Sequence, residues 1–378
     1  AQNLQDFKHP FAQRSFEWDL SQSLWVTQHL HLFNVSELAL INPFISAFKT
    51  HQETYKQLPK SVIHNDANDH NIIVSHSLIH PQIIGLIDYG DACYSQIIND
   101  LAIACTYGIM DTENPLAACL PIVKGYHESH PLSEQELLHL YHLIGMRLVV
   151  SLTKAAMNKK EYPENKYLLI SEKPAWELLE KWREISDKLA YYAFRKACNY
   201  KAHPNLAKFE AWVKKQSFSL SHLFPDQKKQ DAIHLDLSVN SLWIENEAAF
   251  NDLTYFQYKI ERLQEAHPHK IIAGGYLEPR PLYTSEDYDI PSNQGPISRC
   301  VHLGVDFWLP SKTPVHALLD GTVVMALDRK GEKEYGGFVI LEHSFGNDSF
   351  FTLYGHLNPA SIAAHKVGDA LKKGTLVG

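Results

Sequence analysis

The character of the sequence changes along the chain, and this change limits what the chain can fold into. Much of residues 1–198 carries apolar side chains at helical spacing, as in the stretches 137–144 and 176–185. From about residue 236, short apolar runs alternate with glycine-containing turns such as Asp320-Gly321, which is typical of strands. One uniform architecture cannot satisfy both patterns. The sequence therefore predicts a multidomain α+β chain, with an α-rich part joined to a mainly-β part.

The expected domain boundaries follow these shifts in pattern. The chain has 378 residues, and roughly 100–200 residues per domain predicts two or three domains. We expect an α-rich domain over 1–198 and a polar linker over 199–235. A lead-in segment over 236–296 is predicted to pack on the β domain, which occupies 297–378.

A short polar motif interrupts the helical part. Residues 61–103 read as short strands, and the loop 64–71 between two of them has the form H-x-D-x-x-x-x-N, with Asp66 and Asn71 at its fixed positions. Asp88 follows 17 residues after Asn71, again at the end of an apolar run. Phosphoryl transfer uses such a set: one carboxylate accepts the proton of the attacking hydroxyl, and an amide and a second carboxylate hold Mg²⁺. Each residue alone would be an ordinary turn or capping residue, but the combination indicates chemistry.

This motif and its surroundings resemble the aminoglycoside phosphotransferase and choline kinase superfamily, and within it the hydroxylysine kinase group. The resemblance covers roughly residues 1–200 and also uses two further segments, Trp18-Asp19-Leu20 and Asn99-Asp100-Leu101-Ala102. It implies the C-terminal lobe of a protein-kinase-like fold and an ATP-dependent kinase acting on a small amino alcohol or hydroxylated amino acid. It further implies that Asp66 is the catalytic base, that Asn71 and Asp88 bind Mg²⁺, and that Asp100 braces the lobe.

The chain also departs from that family. The family's nucleotide-binding lobe, with its glycine-rich loop and phosphate-pairing lysine, is expected before residue 1, since residues 1–60 contain no glycine. We therefore expect the chain to be a fragment with half of a kinase active site, inactive by itself. The glycine usual after the motif histidine is Asn65 here.

A second motif lies in the β-rich part. His302 and Asp306 are four residues apart and would share one zinc ion if the backbone turned between them. Alone this pattern is weak, but the text around it resembles the lysostaphin-type (LytM-like) zinc metallopeptidases over about residues 297–378. The resemblance uses these segments in order: Thr313-Pro314-Val315, Asp320-Gly321-Thr322-Val323-Val324, Tyr335-Gly336-Gly337, Val339-Ile340-Leu341-Glu342-His343, Tyr354-Gly355-His356-Leu357 and Val367-Gly368-Asp369.

The peptidase resemblance implies roles for three residues. His302 and Asp306 match two zinc ligands, and His356 matches a catalytic histidine near the metal-bound water. The family's H-x-H motif, with the third ligand, is expected beyond Gly378. Two protein ligands bind zinc weakly compared with the usual three.

Four further features are interpreted as structural. His29 and His31 form an H-x-H pattern in the kinase-like part, within a segment of helical spacing, where residues i and i+2 point apart. His343 and Cys300 are read as structural side chains near the zinc motif. The unusual segment 275–283 has no chemical role that the sequence reveals, and we interpret it as part of the lead-in.

A kinase-like lobe followed by a lysostaphin-type domain resembles a known bacterial fusion. In that fusion a class III, pyridoxal-phosphate-dependent aminotransferase follows, so we expect PLP to bind only in a domain beyond Gly378. Two alternatives remain open. In the first alternative, the peptidase-like domain is a non-catalytic scaffold. In the second, the chain is a cell-wall metalloendopeptidase with an inactive kinase-like lobe.

The composition of the chain limits the kinds of partner molecule that we expect it to bind. There are 43 acidic and 35 basic residues, a net charge of −8, which disfavours a nucleic-acid-binding surface. No apolar run is long enough to span a membrane. The five scattered cysteines and the need for ATP favour a cytoplasmic location. We expect a small-molecule substrate, no nucleic acid and no membrane, and the sequence does not predict an oligomeric state.

Overall fold

The computed structural model describes residues 4, 6–77, 79–162, 164, 172–228, 231–284, 286–331 and 334–378. The chain divides into two compact units. The first contains residues 1–206 and 291–295, and the second contains residues 207–290 and 296–378. In the described part of the chain, no helix combines the length and apolar character needed to cross a membrane.

The first unit is mainly helical. A 3-10 helix, Leu20–Leu32, precedes seven α-helices among its described residues: α1 (Val35–Thr50), α2 (Gln52–Lys56), α3 (Ile98–Gly108), α4 (Pro115–Ser129), α5 (Glu134–Glu161), α6 (Glu172–Glu184) and α7 (Asp187–Ala197).

Helix α5 is the centre of this unit. It begins with a capping box in which the Ser133 hydroxyl accepts from the Glu136 backbone N–H and the Glu136 side chain accepts from that of Ser133. Most of its residues between 136 and 155 are buried among the surrounding helices. Gly145 allows close packing, because an added Cβ would lie 2.2 Å from the ring of Phe44 on α1. Burial of this apolar surface stabilises the platform that carries the polar loops.

Two antiparallel ribbons place those loops side by side. Strand β1 (Lys60–Ile63) pairs with β4 (Cys93–Gln96), and β2 (Ile72–Val74) pairs with β3 (Ile83–Leu86). The loop 64–71 leaves β1, and the segment 87–92 leaves β3. The Ile87 backbone N–H donates to the Asn71 carbonyl at 3.0 Å. The two motif segments are therefore neighbours, as their sequence spacing predicts.

The second unit is rich in sheet. Its described strands are β5 (Asp231–His234), β6 (Lys270–Gly274), β7 (Glu278–Pro279), β8 (Asp289–Ile290), β9 (Ile297–Ser298), β10 (Val301–His302), β11 (Asp306–Trp308), β12 (Gly321–Arg329), β13 (Gly336–Phe345), β14 (Asp348–Leu357) and β15 (Ala370–Leu371). Its described helices are α8 (Leu206–Val213), α9 (Leu220–Leu223), α10 (Glu247–Asn251), α11 (Leu253–Ala266) and α12 (Pro359–Ile362).

Two sheets organise this unit. The larger has the strand order β14-β13-β12-β15 and is antiparallel, with Val323, Val339 and Leu341 buried in its core. The smaller has the order β11-β6-β5, and β5 runs parallel to β6. Helix α11 lies between β5 and β6 in sequence and packs Ile260 near Ile272 in a second core.

The overall class is the mixed α+β chain that the sequence predicts. Helix α11 is the main difference within residues 236–296, which the sequence interpretation described as strands and turns. Phe256, Ile260 and Leu263 recur every three or four residues and face the core. This is a helical period that a search for short strands overlooks.

Candidate active sites

The first candidate site surrounds the carboxylate of Asp66, in the loop after β1. Its Oδ2 accepts hydrogen bonds from Nδ2 of Asn71 at 2.9 Å and from Nδ2 of Asn68 at 3.0 Å. Asn71 Nδ2 also donates to the Asp66 backbone carbonyl at 2.9 Å. About a fifth of the Asp66 side chain remains exposed, at 21%. The carboxylate is thus held in one orientation and still open to a substrate.

Arg147, from the middle of α5, holds the other carboxylate oxygen. Its Nη2 donates to Asp66 Oδ1 at 3.1 Å and to the Tyr107 hydroxyl at 3.0 Å. The guanidinium lies 4.6 Å from the ring centroid of Trp18 and 5.4 Å from that of Tyr107, and Arg147 is 1% exposed. The sequence interpretation missed Arg147. The sequence did contain a signal for it, an arginine within an apolar helical stretch. An arginine buried there needs a charged or polar partner.

Asn71 and Asp88 lie in the adjoining segments, where the sequence places a Mg²⁺ site. Both described hydrogen bonds of the Asn71 side chain use Nδ2, and its oxygen Oδ1 takes part in none. Asp88 is exposed, has a φ of 61° and accepts from the Gly90 backbone N–H at 3.3 Å. An amide oxygen and an exposed carboxylate suit the oxygen preference of Mg²⁺. The residues present therefore fit this ion.

A third carboxylate, Asp91, belongs to the same cluster. Burial and the nearby charge of Asp66 raise the pKa of Asp91, while Arg147 and Arg14 oppose this shift. Asp91 therefore lies close enough to Asp66 for its pKa to respond to the negative charge of that carboxylate.

The loop itself is braced from α3. Asp100 accepts hydrogen bonds from the backbone N–H groups of Asn65 at 2.8 Å and His64 at 3.3 Å. Asn65 has a φ of 67°, a left-handed conformation that asparagine tolerates better than most residues. The ring nitrogen Nε2 of His64 lies 2.9 Å from the Ile87 carbonyl oxygen. Asn65 therefore has a left-handed backbone at the position where the resemblance leads one to expect glycine.

The second candidate site contains His302 on β10 and Asp306 on β11. His302 Nε2 lies 3.5 Å from Asp306 Oδ1. The other ring nitrogen, Nδ1, is 2.8 Å from the Gly275 carbonyl oxygen, so it carries the proton and donates. In the neutral imidazole, Nε2 is then the lone-pair nitrogen and faces Asp306, which is the arrangement that a zinc ligand requires. The two residues fit a shared metal ion.

His356 on β14 is exposed and has a φ of 56°. Its backbone N–H donates to the Tyr335 carbonyl at 2.8 Å, and the two rings lie 6.3 Å apart. Within the described ranges, no hydrogen bond or ring contact joins His356 to His302 or Asp306. In the same ranges, no three or more His, Cys, Asp or Glu side chains form a group that could hold a metal ion.

The features interpreted as structural have these positions. His29 and His31 lie in the 3-10 helix Leu20–Leu32, with ring centroids 6.3 Å apart. His343 is buried in β13, with Nδ1 2.8 Å from the Asp320 carbonyl oxygen and Nε2 2.7 Å from the Thr352 hydroxyl. Cys300 is a partly exposed free thiol, and its carbonyl accepts from the Arg280 backbone N–H at 2.8 Å.

Comparison with known proteins separates the two parts of the chain in the same way. Residues 4–129 match the phosphotransferase enzyme family, and residues 300–378 match peptidase family M23. Two separate parts of the chain are therefore similar to two different enzyme families. A hydroxylysine kinase from Mus musculus is 29% identical over 198 residues, which is 49% of this chain and 52% of that protein. One from Xenopus laevis is 31% identical over 193 residues, 47% of this chain and 50% of that protein.

The chain spans about half the length of these curated hydroxylysine kinases. The phosphotransferase match includes Asp66, Asn71 and Asp88, and the M23 match includes His302, Asp306 and His356. Arg147 lies outside residues 4–129, and Arg280 lies outside residues 300–378.

Proposed function

We propose that the helical unit is the catalytic lobe of an ATP-dependent phosphotransferase, with the hydroxyl of a small amino alcohol or hydroxylated amino acid as its acceptor. The observation that carries this proposal is the carboxylate of Asp66. It is fixed by Asn68, Asn71 and Arg147 and remains open on one side. A fixed, accessible carboxylate after an H-x-D turn is what general-base assistance to a hydroxyl requires.

This geometry supports the following roles for the site residues. Asp66 orients the acceptor hydroxyl and takes its proton as the oxygen attacks the γ-phosphorus of ATP, whose bond to the β,γ-bridging oxygen breaks and releases ADP. The side-chain oxygen atoms of Asn71 and Asp88 would hold Mg²⁺. The bound ion would neutralise charge on the nucleotide phosphates. Arg147 keeps Asp66 in the rotamer that faces the acceptor.

Hydroxylysine is the first acceptor to test, because the matched relatives are named as hydroxylysine kinases. The assay supplies MgATP to a polypeptide that carries a nucleotide-binding lobe ahead of these residues, and it measures phosphate transfer to 5-hydroxylysine. Lysine is the matched control substrate, since it lacks only the hydroxyl, and ethanolamine tests the amino alcohols. Transfer to 5-hydroxylysine or ethanolamine supports the proposal. Absence of transfer to any hydroxylated amine contradicts it.

A second candidate function belongs to the sheet-rich unit, favoured by the facing atoms of His302 and Asp306. In this proposal they are zinc ligands, and His356 assists a water molecule. Bound zinc would lower the pKa of that water for attack on a peptide carbonyl. Zinc content of a polypeptide that continues past Gly378 through the expected H-x-H motif, and of its His302→Ala variant, tests the site, and peptide hydrolysis tests the activity. Zinc binding without hydrolysis favours the scaffold alternative.

A further inference from the structure

One short segment of the sheet-rich unit contacts both candidate zinc ligands. This ligand-facing segment, Gly275–Arg280, precedes the M23 match and was left without a chemical role by the sequence. Its carbonyl at Gly275 binds His302 Nδ1 at 2.8 Å, and Nη2 of Arg280 donates to Asp306 Oδ2 at 2.6 Å. Strand β7 aligns the segment, because Glu278 pairs with His302 across the ribbon.

The arginine is itself held from behind. Arg280 Nε donates to Glu278 Oε2 at 2.7 Å, and the other Glu278 oxygen accepts from the Leu237 backbone N–H at 2.8 Å. Arg280 is 5% exposed and Glu278 is 7% exposed. A guanidinium fork that binds two carboxylates at once has little freedom to move. The chain Leu237–Glu278–Arg280–Asp306 therefore fixes the position of Oδ2.

Gly275 is required for this arrangement. It has a φ of +102°, and an added Cβ would lie 2.2 Å from Arg280 Nη2 and 2.7 Å from His302 Nδ1. Only a residue without a side chain lets the backbone carbonyl reach the imidazole while the guanidinium passes beside it. A methyl group at this position would overlap both the guanidinium of Arg280 and the imidazole of His302.

The fixed atoms have the separation of two ligands on one zinc ion. Two atoms at about 2.0–2.1 Å from a tetrahedral zinc lie roughly 3.3 Å apart. His302 Nε2 and Asp306 Oδ1 are separated by 3.5 Å, which is longer than a good hydrogen bond. Because Arg280 donates to Oδ2, Oδ1 is the oxygen that faces His302, and Asp306 would bind a metal ion through that atom.

We infer that Arg280 and Glu278 are positioning residues for zinc, which set the carboxylate of Asp306 opposite His302 before the metal binds. This inference rests on the zinc site proposed above and is independent of the phosphotransferase proposal. Ligand carboxylates and histidines are commonly oriented by such outer partners, and losing one weakens metal affinity about 10- to 100-fold.

The inference is testable because two accounts predict opposite changes in zinc affinity when Arg280 is removed. One account considers only the charge of Arg280, and the other considers its positioning of Asp306. Arg280 carries a positive charge, and Glu278 balances it. Removing Arg280 alone leaves an additional negative charge near the metal, which by Coulomb attraction would tighten zinc binding. The positioning account predicts weaker binding, because Asp306 is free to rotate away from His302.

The test measures zinc affinity, by competition with a chromophoric chelator, of a polypeptide that continues past Gly378 through the expected H-x-H motif. The main variant is the double substitution Glu278→Gln with Arg280→Gln, which preserves the net charge of the cluster. The matched control is Arg329→Gln with Glu334→Gln, an exposed pair in the same unit with atoms 3.5 Å apart. Arg280→Lys is made as well, because it keeps the charge and most of the packing but loses the fork. Circular dichroism establishes that each variant is folded.

We expect the Glu278/Arg280 double variant to bind zinc about 10- to 100-fold more weakly than the unaltered chain. The control pair should have unchanged affinity, and Arg280→Lys should weaken binding even if the double variant fails to fold. Equal or tighter zinc binding by folded Arg280→Lys or by the folded double variant overturns the inference alone. If the unaltered chain holds no more zinc than His302→Ala, the zinc site and the inference both fall.

Discussion

Arg147 Nη2 lies 3.1 Å from Oδ1 of Asp66, so the centre of the longest described helix is tied to the loop that carries the candidate base. The arginine is almost fully buried between Trp18 and Tyr107. Its position is set by the core of the helical unit and not by the loop. The orientation of Asp66 is therefore a consequence of helix packing.

Arg147→Gln should lower the kcat of phosphate transfer about 10- to 100-fold with a smaller change in KM, since a misplaced base loses transition-state contacts first. A double-mutant cycle with Asp66→Asn is the decisive measurement. If Arg147 acts through Asp66, its removal should have little further effect once the carboxylate is gone.

The control for that cycle is Arg195→Gln. Arg195 is also buried in the helical unit and is paired with Glu134, away from the loop. Its substitution should reduce stability without the coupling to Asp66. Fully additive effects of Arg147→Gln and Asp66→Asn on kcat would contradict the positioning role.

Gly145→Ala should destabilise the helical unit. Alanine normally favours a helix over glycine by about 1 kcal/mol, but here the new Cβ would lie 2.2 Å from the Phe44 ring. We expect the free energy of unfolding in urea to fall by about 1–3 kcal/mol. Gly125→Ala in α4 is the matched control, because nothing lies within 4 Å of the added atom. A stabilising Gly145→Ala would show that this helix contact is looser than described.

Stability should also depend on pH through a histidine cluster. His51 and His142 stack with ring centroids 5.3 Å apart, and His139 lies 6.0 Å from His51. Burial and then the neighbouring His51 lower the pKa of His139 and of His142 from 6.5 to about 4. Between these values the unfolded chain binds more protons than the folded one. The free energy of unfolding should therefore be greatest above pH 6.5 and should fall as the pH drops towards 4.

Urea unfolding between pH 4 and 7.5 measures this effect. The slope should be at most about 1.4 kcal/mol per pH unit for each proton taken up. His142→Phe should reduce the slope, while His70→Phe, at a side chain that is 86% exposed, should leave it unchanged. An identical slope for the unaltered chain and His142→Phe would rule out this cause.

The sequence predicts the parts of these sites that are local. His64, Asp66, Asn71 and Asp88 lie close together in sequence, and short ribbons bring them together. His302 and Asp306 are likewise four residues apart, and a turn between β10 and β11 places their atoms face to face. The spacing and the types of these residues were therefore enough to predict where both candidate sites lie.

Contacts between distant residues could not be predicted in this way. Arg147 is 81 residues from Asp66, and its role depends on how α5 packs in the core. Arg280 is 26 residues from Asp306. The segment that contains Arg280 stood out in the sequence, but the sequence did not show that Arg280 binds Asp306. Both arginines are buried, so each is expected to have a charged or polar partner, but the sequence does not identify that partner. The roles of the site residues and the expected aminotransferase domain beyond Gly378 stay predictions.

The most direct measurement is the rate of ATP-dependent phosphate transfer to 5-hydroxylysine by Asp66→Asn, in a polypeptide with a nucleotide-binding lobe ahead of these residues. Asp69→Asn is its control, because Asp69 is on the same loop and its side chain is 74% exposed. The account predicts that Asp66→Asn lowers turnover about 10²- to 10⁴-fold in a protein that remains folded, while Asp69→Asn remains near normal. Near-normal transfer by a folded Asp66→Asn protein would contradict the assignment of Asp66 as the base.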